Sequence, residues 1–114
     1  MKPRLLIIVD SDPRTSPRPA EAVRIAAGVG AWDRLELILY LHGPAVHLLT
    51  SEREEYPDGE NYDRYLPLVR EMGHALRHQG DAELLASENA DGSVPIDAVE
   101  LARLAAGCSS VLRF

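Results

Sequence analysis

The sequence predicts a three-layer α/β sandwich, in which a mainly parallel sheet of four or five strands lies between helices. Aliphatic runs of strand length, such as residues 5–9 and 35–41, alternate along the chain with segments of helical spacing. Apart from Glu36, both runs are apolar at consecutive positions, as in strands that helices cover on both faces. Strands that alternate with helices form right-handed crossovers, and these give a parallel sheet.

Length and composition indicate one globular domain over residues 1–114. A chain of 114 residues can bury a hydrophobic core, and a hydrophobic content of 46% excludes a disordered class. The single cysteine cannot form an internal disulfide. The run 5–9 is too short for a signal peptide, and no run approaches the roughly 20 apolar residues that span a bilayer. We therefore expect a soluble, cytoplasmic domain without a membrane partner.

The charge of the chain argues against direct nucleic-acid binding. The net charge is -6, and the arginines are scattered along the sequence rather than gathered in a run. Phosphate binding needs a basic surface. Thr15 and Ser16 lie near Arg14 and Arg18, but no glycine-rich loop accompanies them, so a nucleotide fingerprint is missing. These residues predict no nucleic-acid partner and no cofactor.

The first elements are a strand, a helix and a second strand. Strand 5–9 ends at the loop 10–18, which is rich in Ser, Thr and Pro. Pro19 suits the first turn of a helix, and the apolar residues after it keep helical spacing until Gly30. The second strand then covers residues 35–41.

The middle of the chain predicts a loop and a long helix. Residues 45–49 could form one or two helical turns, and the five acidic residues within 51–60 predict an exposed, mobile loop. Helical spacing continues through residues 62–76, and Gly80 is placed to cap that helix. Because Pro67 would break an interior hydrogen bond, we expect a turn or short helix before it and the main helix after it.

The last third predicts a strand, a loop, a helix and a closing strand. Residues 82–86 read as a short third strand, and residues 87–92 as the loop that follows it. Apolar spacing over residues 96–105 predicts a helix that ends at Gly107. Residues 109–114 form the closing strand.

One rim of the predicted sheet gathers the loops that could bind a ligand. In parallel α/β sheets, ligands bind outside the carboxyl ends of the strands, which here lead into loops 10–18, 42–44 and 87–92. We expect any ligand to contact residues of these loops: Asp10, Ser11, Asp12, His42, Gly43, Ser87, Glu88 and Asn89. Cys108 precedes the last strand and therefore belongs to the opposite rim.

The chemistry of these loop residues leaves alternatives open. His42 could bind an anion or act as an acid or base, or it could simply hydrogen-bond the loop backbone. Asp10, Ser11 and Asp12 could hold a metal or a ligand hydroxyl, although Asp and Ser at such positions more often cap the turn itself.

A second candidate group lies on the predicted middle helix. Glu71, His74 and His78 would share one helix face, and that arrangement could hold a metal. The face lies away from the apolar stripe, and no second ligand-bearing helix complements it. We therefore expect a solvated surface here and no metal site.

Four segments of the chain resemble one known family. They are the first strand with the polar turn 11–13, the close of the first helix at 30–32, the strand–glycine–short-helix segment 37–46, and the helix that ends at Gly80. Together they are similar to the DsrE-like family, which includes subunits of tRNA-thiolation sulfur relays and of dissimilatory sulfur oxidation. The resemblance spans nearly the whole chain and implies a flavodoxin-like or Rossmann-like sandwich.

The resemblance implies a member without sulfur-carrying activity. The family's cysteine lies at or just after the third strand, here residues 84–87, and this chain has no cysteine there. Cys108 follows a helix carboxyl end, where the dipole does not favour a thiolate, so we expect a small buried residue rather than a persulfide carrier. The family's habits also imply a homo-oligomer, a trimer or hexamer, or assembly with other DsrE-like subunits.

A group of apolar side chains gives a second reason to expect an oligomer. The segment around the second strand and the helical turns after it carries more apolar residues than a short turn can bury in so small a domain. They are Tyr40, Val46, Leu48 and Leu49.

Two functions from different classes follow from the sequence. The first is a non-catalytic DsrE-like subunit with an assembly or small-ligand-binding role related to intracellular sulfur relay. The alternative is a small-molecule enzyme, with His42 as acid or base and Asp10 or Asp12 positioning the substrate. Fold analogy alone adds a nucleotide-binding regulator.

Overall fold

The chain folds as five strands and three α-helices in the residues that this computed structural model describes, which are 2–32, 34–50, 52–80 and 92–114. Short 3-10 segments cover Gly43–Leu49 and Arg53–Glu55. The elements are β1 (Arg4–Val9), α1 (Arg18–Gly30), β2 (Glu36–Leu41), α2 (Glu60–Glu71), β3 (Ala75–Gln79), β4 (Val94–Ile96), α3 (Ala98–Ala106) and β5 (Ser110–Arg113).

The five strands form one sheet of order β4-β3-β2-β1-β5, in which every pair of neighbours is parallel. The register places Val9 beside Leu41 and Leu41 beside His78. The carboxyl ends of β1, β2 and β3 therefore lie at one rim of the sheet. The predicted α/β class and its parallel sheet are confirmed.

The two faces of the sheet bury different cores. On one face, Ile7 and Leu39 pack beneath α1, α2 and the first 3-10 segment. On the other face, Leu6 and Tyr40 pack with Ile96 and the inner side of α3. The molecule thus has three layers, but its second helical layer consists of α3 alone in the described part of the chain.

The apolar side chains that we expected to protrude are buried within the subunit. Val46, Leu48 and Leu49 are almost completely enclosed, because the 3-10 segment Gly43–Leu49 folds onto the core beneath α1 and α2. Tyr40 is enclosed on the other face of the sheet, in the core cluster beneath α3. The expectation that these four residues form an apolar surface is therefore wrong. The exposed large apolar side chains include Val94 of β4, Val99 of α3 and Val111 of β5.

The prediction of a main helix that begins near Pro67 and is capped by Gly80 is wrong at both ends. α2 begins at Glu60, continues through Pro67 and ends at Glu71, and β3 then occupies Ala75–Gln79. A proline inside a helix costs about 3 kcal/mol, whereas each large apolar side chain that α2 buries contributes roughly 1.5–3 kcal/mol. Those side chains are Tyr62, Leu66 and Val69.

The acidic segment after residue 50 is more ordered than its composition predicts. Arg53 is only 6% exposed, and its Nε donates to Asp63 Oδ1 at 3.0 Å while its Nη1 donates to the Leu48 carbonyl at 3.2 Å. These bonds join the segment Arg53–Glu55 to α2 and to the first 3-10 segment. The expected mobile loop is therefore wrong at Arg53.

The last third of the chain agrees with the prediction in α3 and β5 but not in β4. Pro95 lies within β4, a position that an edge strand tolerates because one side of it needs no ladder bonds. The strand predicted for residues 82–86 lies outside the described residues. None of the described helices is long and apolar enough to cross a bilayer.

Candidate functional site

A cavity of about 450 Å³ opens where β2, β3 and β4 end and α3 begins. Such a volume lies within the range of small-molecule sites, roughly 300–1,000 Å³. The position also follows the rule that ligands bind at the carboxyl ends of parallel strands. Six of the side chains that line the cavity define its chemistry: Tyr40, His42, Gln79, Ile96, Asp97 and Leu101.

The floor of the cavity is apolar. Tyr40 is 2% exposed and Ile96 is 5% exposed, and both belong to the core cluster beneath α3. Leu101 of α3 packs against the same cluster and remains partly exposed. The floor is therefore formed by residues of β2, β4 and α3.

His42 lies at the mouth of the cavity, directly after β2. Its backbone N–H donates to the Val9 carbonyl at 2.8 Å, which continues the ladder between β1 and β2 by one residue. Its ring centroid is 6.0 Å from that of Tyr40, with an angle of 37° between the rings. Among the residues described, none hydrogen-bonds the imidazole, so the interpretation that this side chain caps its own loop has no support.

Gln79 holds the loop that carries His42. Gly43 has a φ of 55°, a backbone conformation that residues with a Cβ rarely adopt. Its N–H donates to Gln79 Oε1 at 2.8 Å. The sequence interpretation missed Gln79, because it placed this residue in a helix rather than at the end of β3. Gly73, with a φ of 81°, was the signal that a helix ends before β3.

Asp97 begins α3 and contributes the carboxylate of the cavity. Its Oδ1 accepts from the Glu100 N–H at 2.8 Å, and Glu100 Oε1 accepts from the Asp97 N–H at 3.5 Å. This reciprocal arrangement is a capping box, and the spacing of Asp97 and Glu100 is its sequence signature. That spacing could have located the first residue of α3 from the sequence.

The predicted residues of the first loop are engaged in structural contacts. Asp10 Oδ2 accepts from Arg113 Nε at 2.8 Å, and the Ser11 hydroxyl donates to the Phe114 carbonyl at 2.9 Å. Asp12 accepts from Arg14 Nη2 at 2.9 Å. These bonds tie the loop to itself and to the end of β5.

The electrostatics of Asp12 differ from those of a free carboxylate. Hydrogen bonds from Arg14 lower the pKa of Asp12 below its ordinary value, and the nearby His47 contributes in the same direction. Among the described residues that line the cavity, neither Asp10 nor Asp12 occurs, whereas His42 does. The structure therefore does not bring the two acidic residues into the cavity beside His42. The remaining predicted contacts, Ser87, Glu88 and Asn89, lie outside the described residues.

The residues of the suspected metal face are not on one helix. Glu71 ends α2, His74 lies in the turn that follows, and His78 belongs to β3. The helix that would have aligned them is wrong, because the chain turns at Gly73 to pair with β2. In the part of the chain that the structure describes, no three His, Cys, Asp or Glu residues are placed to hold a metal ion.

The two histidines of that group make structural hydrogen bonds. His74 Nδ1 accepts from the Leu37 N–H at 3.1 Å, so its Nε2 carries the proton and donates to the Gly30 carbonyl at 2.7 Å. His78 Nδ1 lies 2.8 Å from the Ser93 hydroxyl, and burial lowers the pKa of His78. The expectation of a solvated surface is therefore also wrong for both side chains.

Cys108 lies on the rim opposite the cavity. Its N–H donates to the Ala105 carbonyl at 3.1 Å, and its half-buried side chain packs against the core cluster beneath α3. Burial raises the pKa of the Cys108 thiol, and the positive charge of Arg4 opposes this only in part. Both the location and the direction of the pKa shift are those expected from the sequence.

A solved structure is similar to this chain over its whole length. No family model matches the chain, and no curated protein matches it either. The crystal structure of the ychN protein from E. coli is similar to this chain with a TM-score of 0.79 and 21% sequence identity, over 100% of both chains. This similarity shows the fold, and it supports the DsrE-like architecture that the sequence resembles.

Proposed function

We propose that this protein is a non-catalytic DsrE-like subunit of a system related to sulfur relay. It assembles with copies of itself into a trimer or hexamer and binds a small molecule in the cavity at the carboxyl ends of the strands. The observation that carries the proposal is the place of Cys108, the only cysteine of the chain, on the opposite rim.

The environment of Cys108 does not suit sulfur transfer. A persulfide carrier needs a thiolate that a partner protein can reach, and such thiols have a lowered pKa. The Cys108 thiol is half-buried against apolar side chains, and its pKa is raised. The cavity itself contains imidazole, amide and carboxylate groups, which bind ligands but carry no sulfur.

The surface around α3 supports assembly with a second copy. None of the nine residues described for α3 is buried, although most of them are apolar. Val99 of α3 is 59% exposed, and Val94 and Val111 at the two edges of the sheet are also largely exposed. Several exposed apolar side chains on one face are typical of interfaces between subunits.

The sulfur-carrying role is tested by labelling. The protein and its Cys108→Ser variant are incubated with a cysteine desulfurase and ³⁵S-cysteine, and the label that a reductant releases is measured. We expect equal labelling of both proteins, near background. A label that wild type acquires and Cys108→Ser lacks, at the rate of an active relay subunit, would overturn the non-catalytic role.

The assembly is tested by light scattering on the intact chain. Val99→Asp should lower the measured mass toward that of the 12.5 kDa subunit, because a charge would replace an apolar contact. The substitution lies in the first turn of α3, where a carboxylate is compatible with the helix. Leu68→Asp is the matched control, since Leu68 is exposed on α2 at the other face. A wild-type mass of 12.5 kDa at micromolar concentration would contradict the assembly.

A further inference from the structure

We propose that the cavity binds a small molecule with a planar aromatic body and a positively charged amine. This inference rests on the proposed function, because it names the ligand class for the same cavity. Three features of the described residues carry it: the apolar floor, the His42 ring, whose imidazole none of them hydrogen-bonds, and the Asp97 carboxylate, the only one among the described lining residues.

The floor and the wall select a flat apolar body. Tyr40, Ile96 and Leu101 form an apolar surface. A polar group of a ligand placed against it would lose its hydrogen bonds to water without gaining new ones, which is unfavourable. The His42 ring is exposed at the mouth and is tilted by 37° relative to the Tyr40 ring beneath it. An aromatic ligand can pack against both rings in offset or edge-to-face geometry, which stabilises such pairs beyond the area that they bury.

The charges around the cavity select a cation. Asp97 is the acidic side chain among the described lining residues, and neither Lys nor Arg occurs among them. Only Oδ1 of Asp97 is used by the helix cap, so within the described residues Oδ2 has no donor and can accept from an ammonium group. The net charge of -6 adds a field that attracts cations to the whole molecule.

The start of α3 does not reverse this preference. A helix begins with partial positive charge, which by itself would favour an anion. Here two carboxylates, from Asp97 and Glu100, already occupy that end through the capping box. The two carboxylates would therefore repel an anionic ligand and attract a positively charged amine.

Three probes that share an indole ring distinguish the contribution of the aromatic ring to binding from that of the ligand's charge. Tryptamine is a cation at neutral pH, indole is neutral, and indole-3-acetate is an anion. Each is titrated into the intact chain, and binding is followed through amide shifts in the two-dimensional NMR spectrum. We expect tryptamine to bind most tightly and indole-3-acetate most weakly, with shifts at His42, Gln79 and Ala98.

Variants assign the two parts of the preference. Asp97→Asn retains a helix cap of similar strength but removes the charge, so tryptamine affinity should fall about threefold to fivefold while indole affinity is unchanged. Glu54→Gln is the matched control, because Glu54 is exposed on the segment Arg53–Glu55 at the other face of the sheet. Ala98→Trp should abolish binding of all three probes, since Ala98 lines the cavity from an exposed position.

Each outcome has a distinct meaning. If indole-3-acetate binds as tightly as tryptamine, or if Asp97→Asn weakens both indole and tryptamine equally, the proposed cationic class is wrong. If none of the probes shifts the cavity residues, the aromatic body is wrong as well. Neither result bears on the labelling of Cys108, so the non-catalytic role would fail only through that separate experiment.

Discussion

The two faces of the sheet differ in how completely they are covered. On the face beneath α1 and α2, the residues that meet the helices are fully buried, as Ile7 and Leu66 show. On the face beneath α3, Leu6 and Tyr40 are buried, but Ile8 is only partly buried and each of the nine α3 residues described keeps some exposure. The same sheet therefore has a complete core on one side and an incomplete one on the other.

One face of the sheet contains most of the contacts that stabilise the fold, and the other contains the surfaces that are available for binding. The face of α1 and α2 also contains the buried Arg53 and the bonds of His74, so its polar groups are engaged in holding elements together. The face of α3 contains the cavity and the exposed Val99. Regions with less buried contact are the ones that proteins use for ligands and partners.

The largest expected effect comes from truncating a leucine on each face. Leu66→Ala should lower the free energy of unfolding by about 3 kcal/mol, because it leaves a cavity in a filled core. Leu104→Ala should cost only about 1 kcal/mol, since Leu104 of α3 is partly exposed and less surface is lost. Urea unfolding of both variants measures the contrast. Equal losses would show that the two faces are packed alike.

A glycine at the start of α2 tests how tightly the better-packed face is built. A Cβ at Gly59 would lie 2.1 Å from the Arg53 carbonyl oxygen, a backbone atom that cannot swing aside. Gly59→Ala should therefore destabilise the fold by about 2 kcal/mol. Gly28→Ala in α1 is the control, because nothing lies within 4 Å of its Cβ and alanine favours a helix by about 0.5–1 kcal/mol. A Gly59→Ala variant as stable as wild type would mean that the segment Arg53–Glu55 yields easily.

The histidines of the two faces allow a third comparison. His74→Ala removes the bonds to the Leu37 N–H and the Gly30 carbonyl, and it should cost about 1.5 kcal/mol because both partner residues are buried. His42→Ala should change the free energy of unfolding much less, since no hydrogen bond from the described residues reaches its imidazole. Thermal unfolding of the pair distinguishes the two roles. A larger loss for His42→Ala would reverse them.

The fold was predictable because its central strands are unambiguous. Apart from Glu36, residues 5–9 and 35–41 are apolar throughout, and such runs suit only a sheet covered on both faces. The boundary after α2 was not predictable in this way, because apolar residues keep helical spacing across Gly73. Residues 75–79 form a strand rather than a helix because Leu76 pairs with Leu39 of β2, and that contact is long-range in the sequence.

The carboxyl-end rule pointed to the rim where the cavity lies, but most of the described lining residues were not predictable. His42 lines that cavity, and ligand binding there stays a prediction. Gln79 and Asp97 were missed because the strands that position them were assigned elsewhere. Asp10 is paired with Arg113, which is far away in sequence, so no local pattern could have shown that its carboxylate is engaged.

The smallest expected effect is a pH dependence on the well-packed face. Burial lowers the pKa of His78 below its ordinary value of 6.5, so the folded chain resists protonation more than the unfolded chain does. Between the folded and unfolded pKa values the unfolded chain binds more protons, and the free energy of unfolding must fall as the pH falls below about 6.5. Above that pH the contribution of His78 is complete.

His78→Gln should remove this part of the pH dependence. Urea unfolding between pH 7.5 and 5.0 should give a flatter curve for the variant than for wild type. Ser93→Ala is the control, because it removes the hydroxyl 2.8 Å from His78 Nδ1 and leaves burial, the cause of the lowered pKa, largely in place. Its curve should stay as steep as that of wild type. Parallel curves for wild type and His78→Gln would show that this histidine is as accessible to protons in the fold as in the unfolded chain.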